Sequence, residues 1–230
     1  MNTLNTITPN WKSGAIALAP FCLAACMSTT VIDEHRVAIT VEPIGEVEAI
    51  VVLGRRHSSG QETEIDFISC VGNQLGSGAN SLKVIPEKQF VDSMYPYFET
   101  STAPMDVKNL DRLAQNPLVA EKFSDLHVRY FVWIEGYTET VDERGSMSCA
   151  AGPGGAACFG FAAWDDEANY EATIWDFKSL ELAGKISAKT TGTSYLPAVI
   201  VPIPLLARVQ SNACKNMAEQ IENQLWTSLR

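Results

Sequence analysis

The chain has 230 residues, of which 46% are hydrophobic and 19% charged, a length and balance that suit one domain with a sizeable buried core. Its 17 Lys+Arg against 27 Asp+Glu leave a formal net charge of −10. That balance excludes nucleic acid as a partner, because phosphate binding needs a basic stripe, and it excludes electrostatic adhesion to anionic lipid.

The first thirteen residues are polar, with Lys12 as their one charged side chain, and residues 14–23 form a short apolar run. Ten residues are too few to cross a hydrocarbon layer of about 30 Å as a helix, but the order charged, apolar, small is that of a secretory signal. The run ends in Leu23-Ala24-Ala25-Cys26, which resembles the lipobox of bacterial lipoproteins. The resemblance implies that residues 1–25 are a cleaved signal peptide and that Cys26 is lipidated, with palmitate among its acyl chains. Several chains give stable retention where one gives only marginal binding. Met27 follows Cys26; the resemblance then implies sorting to the cell outer membrane, facing the periplasm. Residues 26–46, with Pro43 and Gly45, read as a lipidated tether carrying a short strand at 36–41, and 47–230 as the periplasmic domain.

The first core strand is expected at 47–53, apolar nearly throughout, as in a strand covered on both faces. A loop at 54–60 leads to a helix over 61–75, with Glu62 and Glu64 in its first turn, favoured by the dipole, and an apolar stripe of Ile65, Phe67, Ile68, Val71 and Leu75. After a turn at 76–80 comes a short strand at 82–85. Pro86 suits the first position of a helix over 87–98, which Pro96 should end or kink. Residues 101–104 read as a linker. Two short helices follow at 106–115 and 117–124, the second announced by Asn116-Pro117. The strongest strand signal is 127–141, aromatic and β-branched with alternating polarity, and Gly136 marks a bulge. Partner strands at 168–177 and 182–191, joined by a turn at 176–180, make an antiparallel meander. A last helix spans 208–229, with Ala213, Met217, Ile221 and Leu225 on one face and Cys214 joining it. The fold class is therefore α/β: one domain, a helix-covered mixed sheet ending in a long antiparallel meander and a C-terminal helix.

Of six cysteines, Cys22 would leave with the signal and Cys26 would carry lipid, so Cys70, Cys149, Cys158 and Cys214 remain. Four cysteines allow three pairings. The favoured pairing is Cys149 with Cys158, closing a loop of eight small residues, and Cys70 with Cys214, clamping the first and last helices; an exported protein permits both bonds. His35, His57 and His127 show no metal-ligand spacing with these cysteines.

The order of elements, with Tyr130-Phe131-Val132-Trp133-Ile134-Glu135-Gly136 followed by Ile174-Trp175-Asp176, resembles the periplasmic lipoprotein domains related to the amino-terminal domain of TolB and to the curli-secretion lipoprotein CsgG. The resemblance spans 47–229. It implies an adaptor or assembly part and no enzyme. Two stretches depart from it, and nothing in the sequence shows the long membrane-inserting hairpins of a secretion pore.

Those two departures are the candidate sites. Residues 142–167 hold Gly152-Pro153-Gly154-Gly155 and then Phe159, Phe161 and Trp164. There is no Gly-Lys-Ser/Thr for phosphate, so the stretch reads as a flexible, stapled hairpin tip or as a loop presenting aromatics to a partner. Residues 195–206 include Tyr195, Leu196, Val199, Ile200, Val201 and Ile203, broken by Pro197, Pro202 and Pro204. Prolines confine any strand to an edge, and so apolar a stretch must be buried, paired with a partner or dipped in lipid. Asp165-Asp166-Glu167 lacks the ligand spacing of a calcium loop and reads as a solvated turn. Glu135 and Glu139 share a strand face. No hydrolase or dinucleotide motif appears, and no cofactor is expected. The sequence thus points to an envelope lipoprotein acting as a binding or assembly module, with an envelope protein or a second copy as partner. The alternatives are a subunit of an oligomeric secretion or transport complex, or an envelope hydrolase without a recognisable motif.

Overall fold

The computed structural model describes residues 28–31, 41–55, 63–98 and 107–226. Cys26, the signal segment, residues 36–40 of the strand expected at 36–41, most of the loop at 54–60, the start of the first helix at 61–62, the linker at 101–104 and residues 227–229 lie outside them.

Among the described residues, six strands form one mixed sheet in the order β1-β6-β5-β4-β2-β3. They are β1 (Ser28–Val31), β2 (Ala49–Gly54), β3 (Val84–Ile85), β4 (Val128–Gly152), β5 (Gly155–Asp176) and β6 (Glu181–Pro202). β2 runs parallel to β3 and β4, and the remaining pairs are antiparallel. Among the described residues there are five helices: α1 (Ile65–Ser77), α2 (Glu87–Met94), α3 (Val107–Ala114), α4 (Pro117–Leu126) and α5 (Val209–Trp226). This is the expected α/β domain with its meander and terminal helix.

Helices cover both faces of the sheet's proximal half. On one face α1 and α5 pack Phe67, Val71, Leu75, Met217, Ile221 and Leu225 against Tyr130, Val132, Ile134, Tyr170 and Ile174. On the other, α2, α3 and α4 pack Phe90, Met94, Leu110, Val119 and Phe123 against Val51, Leu53, Phe131, Trp133 and Trp175. Phe90 meets Phe98 and Phe131 edge-on at 4.9 and 5.6 Å, an arrangement that adds about 0.5–1.5 kcal/mol per pair beyond area burial. Cover on both sides explains why β2 is buried at every position and why β4 is apolar on both faces from Tyr130 to Ile134.

Local signals set most boundaries. Asn116 caps α4, its side-chain oxygen accepting from the Leu118 N–H at 3.0 Å, with Pro117 at the first turn. His127, expected to open a strand, instead closes α4 in the left-handed region at φ 54°. Pro86 sits one place earlier than expected, as the residue preceding α2. α2 stops at Met94, before Pro96. Val47 and Ile65 are exposed (67% and 65%) because β2 and α1 begin at Ala49 and Ile65, past or at the edge of the covered sheet.

Three expectations need larger correction. Residues 26–46 are not simply a tether: β1 adds to the sheet beside β6, Val41 and Ile44 are buried in the core, and the Ile44 N–H bonds the Leu225 carbonyl. The stretch 142–167, read as a flexible tip, is continuous antiparallel ladder between β4 and β5. Strands of 25, 22 and 22 residues outrun the strands expected at 127–141, 168–177 and 182–191. Asp165 and Asp166 accordingly lie in mid-strand, not in a turn, and accept side-chain bonds from Arg144 and Thr140.

Candidate functional site

Beyond Ile134, where its pairing with β2 ends, β4 continues with β5 and β6 as a three-stranded sheet projecting from the helical layers. Gly136 marks the exit. Its φ is +144°, and a Cβ there would lie 2.2 Å from the Asn169 carbonyl oxygen, so only glycine lets the two strands stay in register. A bulge at Val141, between Thr140 and Asp142, then shifts β4 by one residue, increasing local twist.

The base of the projection is fastened to the body by polar contacts. Glu64, preceding α1, accepts the Thr138 N–H at 2.8 Å and the Tyr170 hydroxyl at 2.9 Å. Thr138 Oγ1 lies 2.8 Å from the same hydroxyl, and Phe67 stacks on the Tyr170 ring at 3.5 Å. Burial pushes the Tyr170 hydroxyl's pKa upward, keeping it a proton donor to Glu64. Above this base comes a charged collar. Lys189 pairs with Glu167 at 2.6 Å and Arg144 with Asp165, while Lys185 pairs with Glu171 at 2.8 Å on the body side of Tyr170. These side chains share one sheet face, since Glu167 stands opposite Thr191 and Asp165 opposite Thr193.

Past the collar, charge stops. Residues 145–164 and 192–207 contain no Asp, Glu, Lys or Arg, and the ladder sets the two runs side by side, from Trp164 opposite Ser194 to Cys158 opposite Ile200. Cys149 and Cys158 face each other directly, with Cα atoms 4.0 Å apart, and are bonded. Phe161 contacts the Tyr195 ring at 5.9 Å. After β6 the chain folds back: Ile203 donates to the Pro197 carbonyl, and Tyr195 and Leu205 exchange two backbone bonds of 2.9 and 2.8 Å. The three prolines thus lie on an edge segment, as their missing donors require.

Each candidate residue now has a place. Phe159, Phe161, Val199, Ile200, Val201 and Ile203 are exposed, Val199 at 76% and Phe159 at 57%. Tyr195 and Leu196 are half-buried. Alternation puts Phe159, Phe161, Tyr195 and Val199 on one face and Leu196 and Ile200 on the other. Trp164 is separated from the two phenylalanines: it lies on the opposite face and is half-buried. Cys70 and Cys214 are joined between α1 and α5 with Cα atoms 6.2 Å apart. Cys26 lies outside the described residues. Glu135 takes Arg55 at 3.0 Å.

Sequence reasoning missed the strand continuity itself. The signal was present in the absence of charge from 145–164 and from 192–207, two runs whose alignment only the ladder reveals. It also missed a groove of about 880 Å³ between α1 and α2, over edge strand β3, lined by Ile65, Ile68, Leu82, Val84 and Val91 with Glu87, Lys88 and Asp92 at hand. Further from the projection, Arg129 is almost wholly buried, bonded to Asp176 at 2.8 Å and Glu42 at 3.1 Å. Among the described residues no group of His, Cys, Asp and Glu could hold a metal ion, and no helix is long and apolar enough to cross a membrane, which leaves strands unaddressed.

No protein-family model matches the chain, and no curated protein matches it. Among solved structures it is similar to the PelC dodecamer from Paraburkholderia phytofirmans, at 12% identity and a TM-score of 0.33, over 87% of this chain and 99% of that one. A point variant of the same dodecamer in another crystal form overlaps at 12% identity and a TM-score of 0.32, over 86% of this chain and 99% of that one. Values this low transfer neither an assembly nor an activity.

Proposed function

We propose that the chain is a bacterial envelope lipoprotein, anchored through Cys26 to the periplasmic side of the outer membrane, and that it works as a non-enzymatic binding or assembly module. The observation that carries the module reading is the projecting sheet: three adjacent strands leave a covered body and end in exposed apolar side chains with no charge. A folded chain gains nothing in its own stability by holding Phe159, Val199, Ile200 and Val201 in water, so this end is built to be covered by something else. The lipobox-like Leu23-Ala24-Ala25-Cys26 supports the anchor.

The reading is tested in cells with metabolic acyl labelling and with a photoreactive residue at Phe161, against a control at Lys215, which is exposed on α5. Label on the wild type and none on Cys26→Ser, with cross-links at position 161 and none at 215, is the expected result. Absence of acyl label from the wild type sinks the anchor. Equal cross-linking at both positions sinks the projecting sheet as contact element.

A second reading, a subunit of an oligomeric complex, is favoured by one observation. From Glu135 onward β4 has no strand on its outer side among the described residues, and an open edge is a template for pairing with a second chain. Cross-links joining two copies through residues 143–151 would select it.

A further inference from the structure

We propose that the groove between α1 and α2 binds an extended peptide segment of a protein partner, which adds as a strand to the outer edge of β3. The site lies at the edge of the sheet opposite β1 and depends neither on the anchor nor on the projecting end.

The edge supplies the directional part. Among the described residues β3 has no strand on its outer side. The Ile50 N–H reaches the Lys83 carbonyl at 2.8 Å, and Ile50 stands opposite Val84 in parallel register. That register turns the Lys83 carbonyl and the Ile85 N–H toward β2 and points the N–H and carbonyl of Val84 outward. Outward backbone groups on a sheet edge are a template for another strand. Beside them the groove holds about 880 Å³, with Ile68, Leu82, Val84 and Val91 among its apolar walls. An apolar small molecule would fill the groove and leave the Val84 groups covered but unsatisfied, which is unfavourable for polar atoms. An extended peptide meets both needs, with main-chain bonds to the edge and alternate side chains in the groove.

The α1 wall is shaped for access. Gly72 and Gly76 line the groove within a helix, where glycine is among the least favourable residues. The fold itself requires neither. Neither has a positive φ. A Cβ would meet Val84 Cγ1 at 3.7 Å and the Leu82 carbonyl oxygen at 3.9 Å, both ordinary contact distances. What side chains at these positions would take up is the space flanking β3. From Ile65 to Gly76 α1 rises about 17 Å, the length of about five residues of strand. Charge at the rim selects among segments. Glu87 and Asp92 against Lys88, in a chain of net charge −10, favour a segment carrying a basic residue over an acidic one.

The test uses the full chain with Cys26→Ser, so that no detergent competes for the groove. A library of random linear peptides displayed on phage is selected against it. The counter-target is Gly72→Met/Gly76→Met, whose flexible side chains fill the groove. Enriched sequences are made as synthetic peptides, titrated by fluorescence polarisation and followed by amide hydrogen exchange. The expected sequences place apolar residues at alternate positions, with lysine or arginine beside them. Their binding should fall at least tenfold on the Gly72→Met/Gly76→Met variant, whose unfolding midpoint is no lower than that of the wild type. On the wild type, bound peptide should slow exchange of the Val84 amide and leave Ile85 unchanged, and N-methylation of the peptide backbone should abolish binding. No enrichment over the filled-groove variant overturns the proposal. So does peptide binding that leaves the Val84 amide as fast as before. Binding of anilinonaphthalenesulfonate that the variant loses, with no peptide selected, would assign the groove to a small apolar ligand instead. Protection of Val84 in the peptide-free protein that grows with protein concentration would put a second copy on this edge and likewise overturn the proposal.

Discussion

Removing the Cys70–Cys214 bond should destabilise the whole domain, and removing Cys149–Cys158 should not. The first bond spans 144 residues; closing a loop of that length removes about 5 kcal/mol of unfolded-state entropy in the chain-entropy treatment. It joins α1 to α5, whose apolar faces share one core, so that entropy bears on global unfolding. The second spans 9 residues, for which the same treatment gives about 2.5 kcal/mol. Its cysteines sit outside both cores, where the strands are exposed on each side, so the effect falls on local opening of the projecting end. The assay is urea unfolding of Cys70→Ala/Cys214→Ala and of Cys149→Ser/Cys158→Ser against the wild type under non-reducing conditions, followed by native-state hydrogen exchange. The α1–α5 variant should lose about 3–5 kcal/mol, the upper value being the entropy and the lower the usual experimental yield. The distal variant should hold its midpoint while amides of 145–160 exchange faster. A loss under about 1 kcal/mol for the first, or an equal loss for both, refutes the division between covered body and projecting end.

Three further outcomes follow from the geometry. Gly136→Ala should cost about 1–3 kcal/mol by forcing a strained φ and a backbone clash, read as a lowered unfolding midpoint; a neutral result would mean the strands can separate there freely. Arg129→Met leaves Asp176 buried without its guanidinium and should cost about 3–5 kcal/mol, with Arg129→Met/Asp176→Asn recovering much of it; thermal unfolding of both variants decides. Burial pushes the Tyr130 phenol up to about 12 and raises Tyr170 as well. The neutral phenols therefore stabilise the fold fully below the ordinary tyrosine pKa near 10, and that contribution is lost as pH rises through the folded values. Absorbance at 295 nm should show Tyr130 and Tyr170, each compared with its Phe variant, silent at pH 11 until the protein unfolds; their titration in the native state would contradict their burial.

How much was legible in the sequence depends on the range of the forces involved. Elements governed by neighbours a few residues apart were readable: the stripe Phe67, Ile68, Val71, Leu75, the Asn116-Pro117 start of α4, the Ala213–Met217–Ile221–Leu225 face of α5, and the meander with its turn at 177–180. The two disulfide pairings were readable too, one from its short loop and one from helices expected on the same sheet. Composition by itself set the acidic balance and the two uncharged runs. Tertiary structure decided the rest. Residues 142–167 looked like a loop because glycine, alanine and serine weaken strand signals, yet cross-strand pairing holds them as ladder through Gly152. Ser28–Val31 looked like tether because four residues carry no period, yet β6 offered an open edge. That residues 145–164 and 192–207 come to lie beside one another, outside the helices and on the end where Ser28 enters the sheet, is a matter of register. Register is fixed by hydrogen bonds between residues far apart in the chain, which no local pattern encodes.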